Sequence, residues 1–238
     1  MDKHDIDTLY LSDVHLGSKG CNAKEVLKTL KNYNAKNLVL VGDFIDGWLL
    51  QRRMYWPQSH NNVIQYVLKL SKKGTKVIYI TGNHDEFLRS YSGEQFGDIE
   101  IVDEYIEGSI WTTHGDLYDG IVKLHWLGKL GGRGYELSIM LDRWMKRMGF
   151  RVSLSKWLKS KVKEAVKFVT NFENALAKEA VERGCDTVLC GHIHTPSDKI
   201  IENGVRYLNC GDWIENNSYI VKTLEGQFEL RYYGNSVI

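Results

Sequence analysis

Five short motifs recur along this 238-residue chain in a fixed order: Asp13-Val14-His15, Gly42-Asp43, Gly82-Asn83-His84-Asp85, His114-Gly115-Asp116 and Gly191-His192-Ile193-His194. Together they supply carboxylates, imidazoles and one amide, with no thiolate among them. That mixture suits Mn²⁺, Fe or Zn²⁺ without choosing among them; two divalent ions are expected, with Mn²⁺ as the cofactor taken. Two ions about 3.5–4 Å apart need a bridging carboxylate and terminal ligands on each side. Asp43 is the expected bridge. Asp13, His15, Asp43 and His194 are expected on one ion, and Asp43, Asn83, His114 and His192 on the other. Such a pair lowers the pKa of a shared water and neutralises charge on a phosphoryl oxygen. His84 is left over from the ligand set and is the expected catalytic group, protonating a leaving oxygen, with Asp85 beside it to orient the ring.

A lone His or Asp at the end of a strand is usually structural. The joint pattern is what carries weight, because five of the eight histidines fall into these motifs, leaving His4, His60 and His125 as surface or local structure. Each motif also follows an apolar run: Leu9-Tyr10-Leu11, Leu38 to Val41, Val77 to Ile80, Ser109 to Thr113 and Thr187 to Cys190. Runs of β-branched and aromatic residues closed by Gly or Asp read as buried strands.

Helical spacing fills the intervals. Val26, Leu27 and Leu30 share a face, as do Val63, Ile64, Val67, Leu68 and Leu70. Val162, Val166, Val169, Phe172, Leu176 and Ala180 predict a longer helix that stops at Gly184. Strands alternating with helices imply parallel pairing, and ligand sites in such sheets lie beyond the carboxyl ends of the strands. After Gly191 the runs at 205–208, 218–221 and 227–233 read as antiparallel strands. The fold class expected is α/β: a mixed two-sheet sandwich flanked by helices.

Net charge is +1, but residues 117–172 hold twelve Lys or Arg against four acids. A basic segment of that kind on an otherwise acidic chain suggests an anionic partner. The stretch from about 117 to 160 also breaks the strand–helix alternation, around Gly131-Gly132-Arg133-Gly134, and reads as a helical insertion. The four cysteines show no disulfide framework, and no stretch approaches a membrane span, so a soluble, cytoplasmic protein is expected.

The order D-x-H, G-D-x-x-D (Gly42 to Asp46), G-N-H-D, H and G-H-x-H resembles the calcineurin-like metallophosphoesterase superfamily over residues 9–212. The resemblance implies a four-layer αββα sandwich: one domain over 1–238, carrying a helical lid insertion at about 117–160. Ser12 to Gly17, Gly42 to Trp48, Thr113 to Asp116, Ser153 to Lys163, Phe172-Glu173 and Asn209 to Trp213 further resemble the bacterial UDP-2,3-diacylglucosamine diphosphatase branch. That branch cleaves a pyrophosphate in lipid A biosynthesis, giving UMP and lipid X, at the cytoplasmic face of the inner membrane. Peripheral membrane contact and a lipid-linked nucleotide substrate are therefore expected. Leu124, Trp126, Leu127, Leu130, Leu137, Ile139, Met140, Leu141, Trp144 and Met148 would line an acyl groove, or pack the insertion onto the sandwich. Lys156, Lys159, Lys161 and Lys163 would meet phosphates or an anionic bilayer. Substrate contacts are expected at Asn83, His84, Asp119, Lys159, Lys163 and His192. Where the best-known enzymes of that branch carry Arg, this chain has His84, the common choice of the superfamily.

Two rival functions remain. A phosphodiesterase or nuclease would use the basic insertion on a nucleic acid backbone. However, the basic residues there alternate with aliphatics more than with stacking aromatics, which favours lipid. A non-enzymatic scaffold would not need an intact ligand set.

Overall fold

The computed structural model describes residues 3–118, 154–201 and 203–234, with side chains for all of these but 154–160. Asp119, the Gly131–Gly134 break, the apolar set from Leu124 to Met148, and the side chains of Lys156 and Lys159 lie outside the described residues. The chain divides into two compact units, Met1–Leu117 with Leu176–Ile238, and Tyr118–Ala175.

The first unit is built on two sheets. Strands β1 (His4–Leu11), β2 (Tyr33–Val41), β3 (Lys76–Ile80), β4 (Gln95–Phe96) and β5 (Ile99–Val102) join two late strands, β11 (Ser218–Lys222) and β12 (Phe228–Tyr232), in the order β12-β11-β1-β2-β3-β5-β4. The second sheet runs β6-β7-β8-β10-β9 through β6 (Glu104–Glu107), β7 (Ile110–Thr113), β8 (Thr187–Cys190), β9 (Ser197–Ile200) and β10 (Arg206–Asn209). Pairing is parallel between β1 and β2, β2 and β3, β3 and β5, β7 and β8, and β8 and β10. It is antiparallel at the edges, where β11, β12, β4, β6 and β9 attach.

Alternation along the strands explains how the layers separate. Leu9, Leu11, Leu38, Leu40, Val77 and Tyr79 share a core with Ala23, Val26 and Leu30 of helix α1 (Ala23–Asn32) and with Val63 and Val67 of α3 (Gln58–Lys72). Their neighbours Tyr10, Val39, Val41, Ile78 and Ile80 point the other way and meet Leu189 and Leu208 of the second sheet. Strands buried on both faces read as continuous apolar runs, which is why the sequence marked them so clearly. The expected α3 face needs one correction: Leu68 is exposed. Next to Val67, it points about 100° away from that buried residue around the helix, outside the buried stripe.

A short helix α2 (Gly47–Arg52) and a 3₁₀ turn (Glu86–Tyr91) follow two of the motif loops. Helix α4 (Leu154–Glu182) ends as expected. Gly184 adopts φ +73°, and the N–H of Cys185 returns to the Ala180 carbonyl at 2.8 Å, a left-handed helix stop. Leu176, Ala177 and Ala180 on its last turns are buried. Within the second unit, Lys163 is exposed, Lys161 pairs with Glu164 at 2.7 Å, and Phe168 stacks on Phe172. No helix among the described residues is long and apolar enough to cross a membrane.

Candidate metal centre

Parallel pairing brings the carboxyl ends of β1, β2 and β3 to one edge of the first sheet, and those of β7 and β8 to one edge of the second. The loops that follow are bonded to each other. The N–H of Asp13 donates to the Gly42 carbonyl at 3.2 Å, His15 to Asp43 at 2.9 Å, and Leu16 to Phe44 at 2.9 Å. Within the second sheet, the Gly191 N–H donates to the His114 carbonyl at 3.1 Å; between the sheets, the Trp213 N–H donates to the Asp13 carbonyl at 3.1 Å.

Asp13, His15, Asp43, His192 and His194 all hold positive φ, between 50° and 67°. That region is strained for residues with a Cβ, and Asp and His visit it more readily than most. Gly42 has φ +73°, and a Cβ there would overlap the His114 ring; one at Gly82 would overlap Asp43. The glycines of the motifs therefore let backbone approach ligand side chains closely.

Three groups of potential ligand atoms result, each within 4.8 Å: Asp13, His15 and His194; Asp43, His114 and His192; and His15, Asp46 and His84, which shares His15 with the first. In the first, His194 Nε2 stands 3.0 Å and His15 Nε2 3.7 Å from Asp13 Oδ1, and the two nitrogens are 3.4 Å apart. In the second, His114 Nε2 is 3.2 Å from Asp43 Oδ2, and the His114 and His192 rings meet edge-on at 5.1 Å. Asp43 Oδ2 also lies 4.0 Å from His15 Nε2, so this one oxygen faces the first two groups. The other oxygen, Oδ1, accepts the His84 N–H at 2.7 Å.

Outer contacts aim these atoms. Val41's carbonyl lies 2.9 Å from His114 Nδ1 and accepts a hydrogen bond from it, so Nε2 is the nitrogen turned toward Asp43. Asp46 Oδ2 stands 3.4 Å from His15 Nδ1, a close approach without hydrogen-bond geometry. Asp13 Oδ2 accepts the His192 N–H at 2.9 Å and the hydroxyl of Ser12, which also donates to the Val41 carbonyl. Asn209 donates to the Gly191 carbonyl at 2.8 Å, and Asn216 to that of His194 at 3.0 Å.

Asp46, not Asp85, faces His84. Its Oδ1 lies 3.1 Å from His84 Nδ1 and also caps α2 by accepting the Leu49 N–H at 2.9 Å. Asp85 instead accepts the N–H groups of Phe44 (2.9 Å) and Gly82 (2.5 Å) and the Tyr79 hydroxyl (2.6 Å), which tie the ends of β2 and β3 together. Sequence reasoning quoted Asp46 within its motif but gave it no role. Its spacing of three from Asp43 was the available signal. His60 was also missed: it is buried, and its Nδ1 accepts the Gly17 N–H at 3.0 Å, bracing the loop that carries His15.

The electrostatics suit cations. Three carboxylates, Asp13, Asp43 and Asp46, are almost wholly buried. Burial alone would raise Asp13, but His194 and His15 reverse it and hold the carboxyl well below the usual range. Asp43 is lowered against its burial chiefly by His114, and Asp46 by His15 and His84. Burial would lower His15, yet Asp13 and Asp46 raise it to about 10; His114 and His194 are raised by Asp43 and Asp13 respectively. Buried negative charge attracts protons here, and would attract a metal ion in the same way. Asn83 Oδ1 is buried with no hydrogen-bond donor, an unsatisfied acceptor that a cation would satisfy. The donors present fit Mn²⁺, Fe or Zn²⁺.

A sequence profile of the calcineurin-like phosphoesterase family matches residues 6–196. A UDP-2,3-diacylglucosamine hydrolase of Porphyromonas gingivalis is 25% identical over 245 residues, covering 89% of this chain and 92% of that protein. Another of that name from Neisseria gonorrhoeae is 23% identical, covering 90% and 92%. Among solved structures, Vacuolar Protein Sorting 29 from Cryptosporidium parvum aligns over 97% of each chain at 13% identity, with a TM-score of 0.48. With all five motifs at the ends of β1, β2, β3, β7 and β8, and the profile spanning most of the sequence, the chain belongs to the calcineurin-like phosphoesterase family and is a hydrolase.

Proposed function

We propose that the protein is a dinuclear metal-dependent phosphohydrolase that cleaves the pyrophosphate of UDP-2,3-diacylglucosamine, or of a related lipid-linked nucleotide, to UMP and lipid X. The observation that carries the chemistry is Asp43 Oδ2, which faces His15 on one side and His114 on the other. The substrate reading is supported by the names of relatives that match nearly the whole chain.

In this reading Asp13, His15, Asp43 and His194 hold one cation, and Asp43, Asn83, His114 and His192 the other. When bound, the cations supply an acidified water and positive charge against the phosphoryl oxygens. Asp46 Oδ1, 3.1 Å from His84 Nδ1, occupies that side of the ring, so Nε2 is the atom offered to substrate. When the ring carries a proton on each nitrogen, Nε2 gives its proton to the departing phosphate oxygen and the ring is left neutral. The insertion serves as the acyl-receiving lid, with Asp119, Lys159 and Lys163 as substrate contacts, and its basic character suits peripheral contact with the inner membrane.

The test is UMP release from UDP-2,3-diacylglucosamine with Mn²⁺ supplied, run beside cleavage of single-stranded DNA. UMP release lost in Asp43→Asn supports the proposal. DNA cleavage without UMP release assigns the centre to a nuclease, and inactivity on both overturns the hydrolase mechanism.

A further inference from the structure

One contact at the centre has no role in ligand geometry: the Trp48 indole lies over the His84 imidazole, with ring centroids 4.3 Å apart and planes 33° from parallel. Trp48 is 41% exposed, so burial of its own surface is a poor reason for its position. Its Nε1–H donates to Glu86 Oε1 at 3.2 Å, which fixes the indole two residues beyond the ring it covers.

His84 needs such a partner. Its side chain is 26% exposed, and the 3.1 Å contact from Nδ1 to Asp46 fixes one atom while leaving the ring free to pivot. The His15 ring meets it edge-on at 4.6 Å on one side. The indole covers another. Backbone reinforces the arrangement, because the Gly47 N–H donates to the His84 carbonyl at 2.9 Å. Asp46 caps α2, which carries Trp48, and the same carboxylate faces His84. The helix start therefore presents His84 with an ionic partner and a flat apolar wall two residues apart.

We propose that Trp48 is a positioning residue for His84, holding the imidazole plane so that Nε2 stays aimed at the reacting phosphate. The inference rests on the hydrolase reading above. A single contact at Nδ1 tolerates rotation of the ring, and the stack removes that freedom. Misplacement of a catalytic group by about 1 Å costs on the order of a hundredfold in rate.

The test uses Trp48→Leu, Trp48→Phe, His84→Ala and the Trp48→Leu/His84→Ala double variant. Hydrolysis of bis-p-nitrophenyl phosphate with Mn²⁺ is measured, together with proton NMR of the histidine rings in the metal-free protein. In the wild type, the His84 ring protons are shifted upfield by the indole, identified by their loss in His84→Ala. Expected for Trp48→Leu are loss of that shift, a fall in kcat of about tenfold or more with KM nearly unchanged, and recovery of most activity in Trp48→Phe. No further loss is expected when Trp48→Leu is added to His84→Ala, because both act through one group. An additive loss in the double variant, or a raised KM with kcat intact, overturns the inference in favour of direct substrate contact. Full activity in Trp48→Leu overturns it outright. Should the wild type leave the probe intact, the same variants are compared by UMP release from UDP-2,3-diacylglucosamine; a wild type inactive on both sinks the hydrolase reading and the inference with it, whereas a missing ring-proton shift in an active wild type sinks the inference alone.

Discussion

His60 offers the sharpest check on how the loop carrying His15 is held. Its ring is 2% exposed, edge-on to Tyr55 at 5.7 Å and to Trp56 at 5.6 Å. Nδ1 accepts the buried Gly17 N–H at 3.0 Å, so the proton of the neutral ring sits on Nε2. Replacing His60 with Leu leaves that N–H without an acceptor, at a cost of about 1–3 kcal/mol. For a chain of this size each kcal/mol lowers Tm by roughly 2–4 °C, giving a fall of about 2–12 °C. Asn at this position carries its oxygen near the place of Nδ1 and should recover much of the loss.

The pH dependence gives a second, independent reading. Burial lowers the His60 pKa below its ordinary 6.5. As pH falls through 6.5, the unfolded chain takes up a proton at His60 that the folded chain refuses. This contribution to stability is therefore complete above the unfolded pKa. It declines by up to about 1.4 kcal/mol per pH unit until the lower folded pKa is reached. His60→Asn has no such slope. Thermal unfolding of both proteins, with chelator present and from about pH 7.5 down to about pH 5, should show the wild type losing ground steadily to His60→Asn. A gap that stays constant with pH, or widens in favour of the wild type, refutes the argument, because a neutral buried acceptor has to lose on protonation.

Two more predictions concern the centre itself. Mn²⁺ at a hundredfold excess over its dissociation constant should stabilise the wild type by about 2.7 kcal/mol, roughly 5–10 °C in Tm, and Asp43→Asn should abolish that shift; an undiminished shift in the variant would place the ions elsewhere. Asp46→Asn should keep α2 capped, since Asn caps as well as Asp, yet weaken the hold on His15 and His84. Kinetics and calorimetry should then show kcat falling by about tenfold or more while Tm moves by no more than about 2 °C, and a large drop in Tm with kcat preserved would contradict the role given to Asp46.

The strands that deliver the motifs were legible because burial on both faces leaves unbroken apolar runs, as in Leu38 to Val41 and Val77 to Ile80. Strands β4 and β6 were not. Gln95-Phe96 is two residues long, and Glu104-Tyr105-Ile106-Glu107 is short and mostly outside the core, so neither shows a run. Adjacency misled at Asp85. Beside His84 in sequence, it turns inward to Phe44, Gly82 and Tyr79, while Asp46 reaches His84 from 38 positions away. The His60–Gly17 bond spans 43 positions, with no local pattern to announce it. Spacing reveals which residue types a strand end can offer, but partners from other loops are fixed only when the sheets assemble.

That assembly also explains the strained backbone. Six residues other than glycine hold positive φ among the described residues, and five of them are candidate ligands: Asp13, His15, Asp43, His192 and His194. Each such conformation costs about 1–3 kcal/mol and persists only where the surroundings over-determine it. Here much of the restraint comes from outside each loop. Asp13 is fixed by backbone bonds to Gly42 and Trp213, His15 by one to Asp43, and His192 by the Asp13 carboxylate. Contacts within a loop, such as the Ser12 hydroxyl on the Asp13 carboxylate and the Ser18 N–H on the His15 carbonyl, add to these. The groups of His15 and His114 also share Asp43 Oδ2. A disturbance at Asp13 therefore reaches His192 directly and His114 through Asp43, so the two halves of the centre form a single energetic unit.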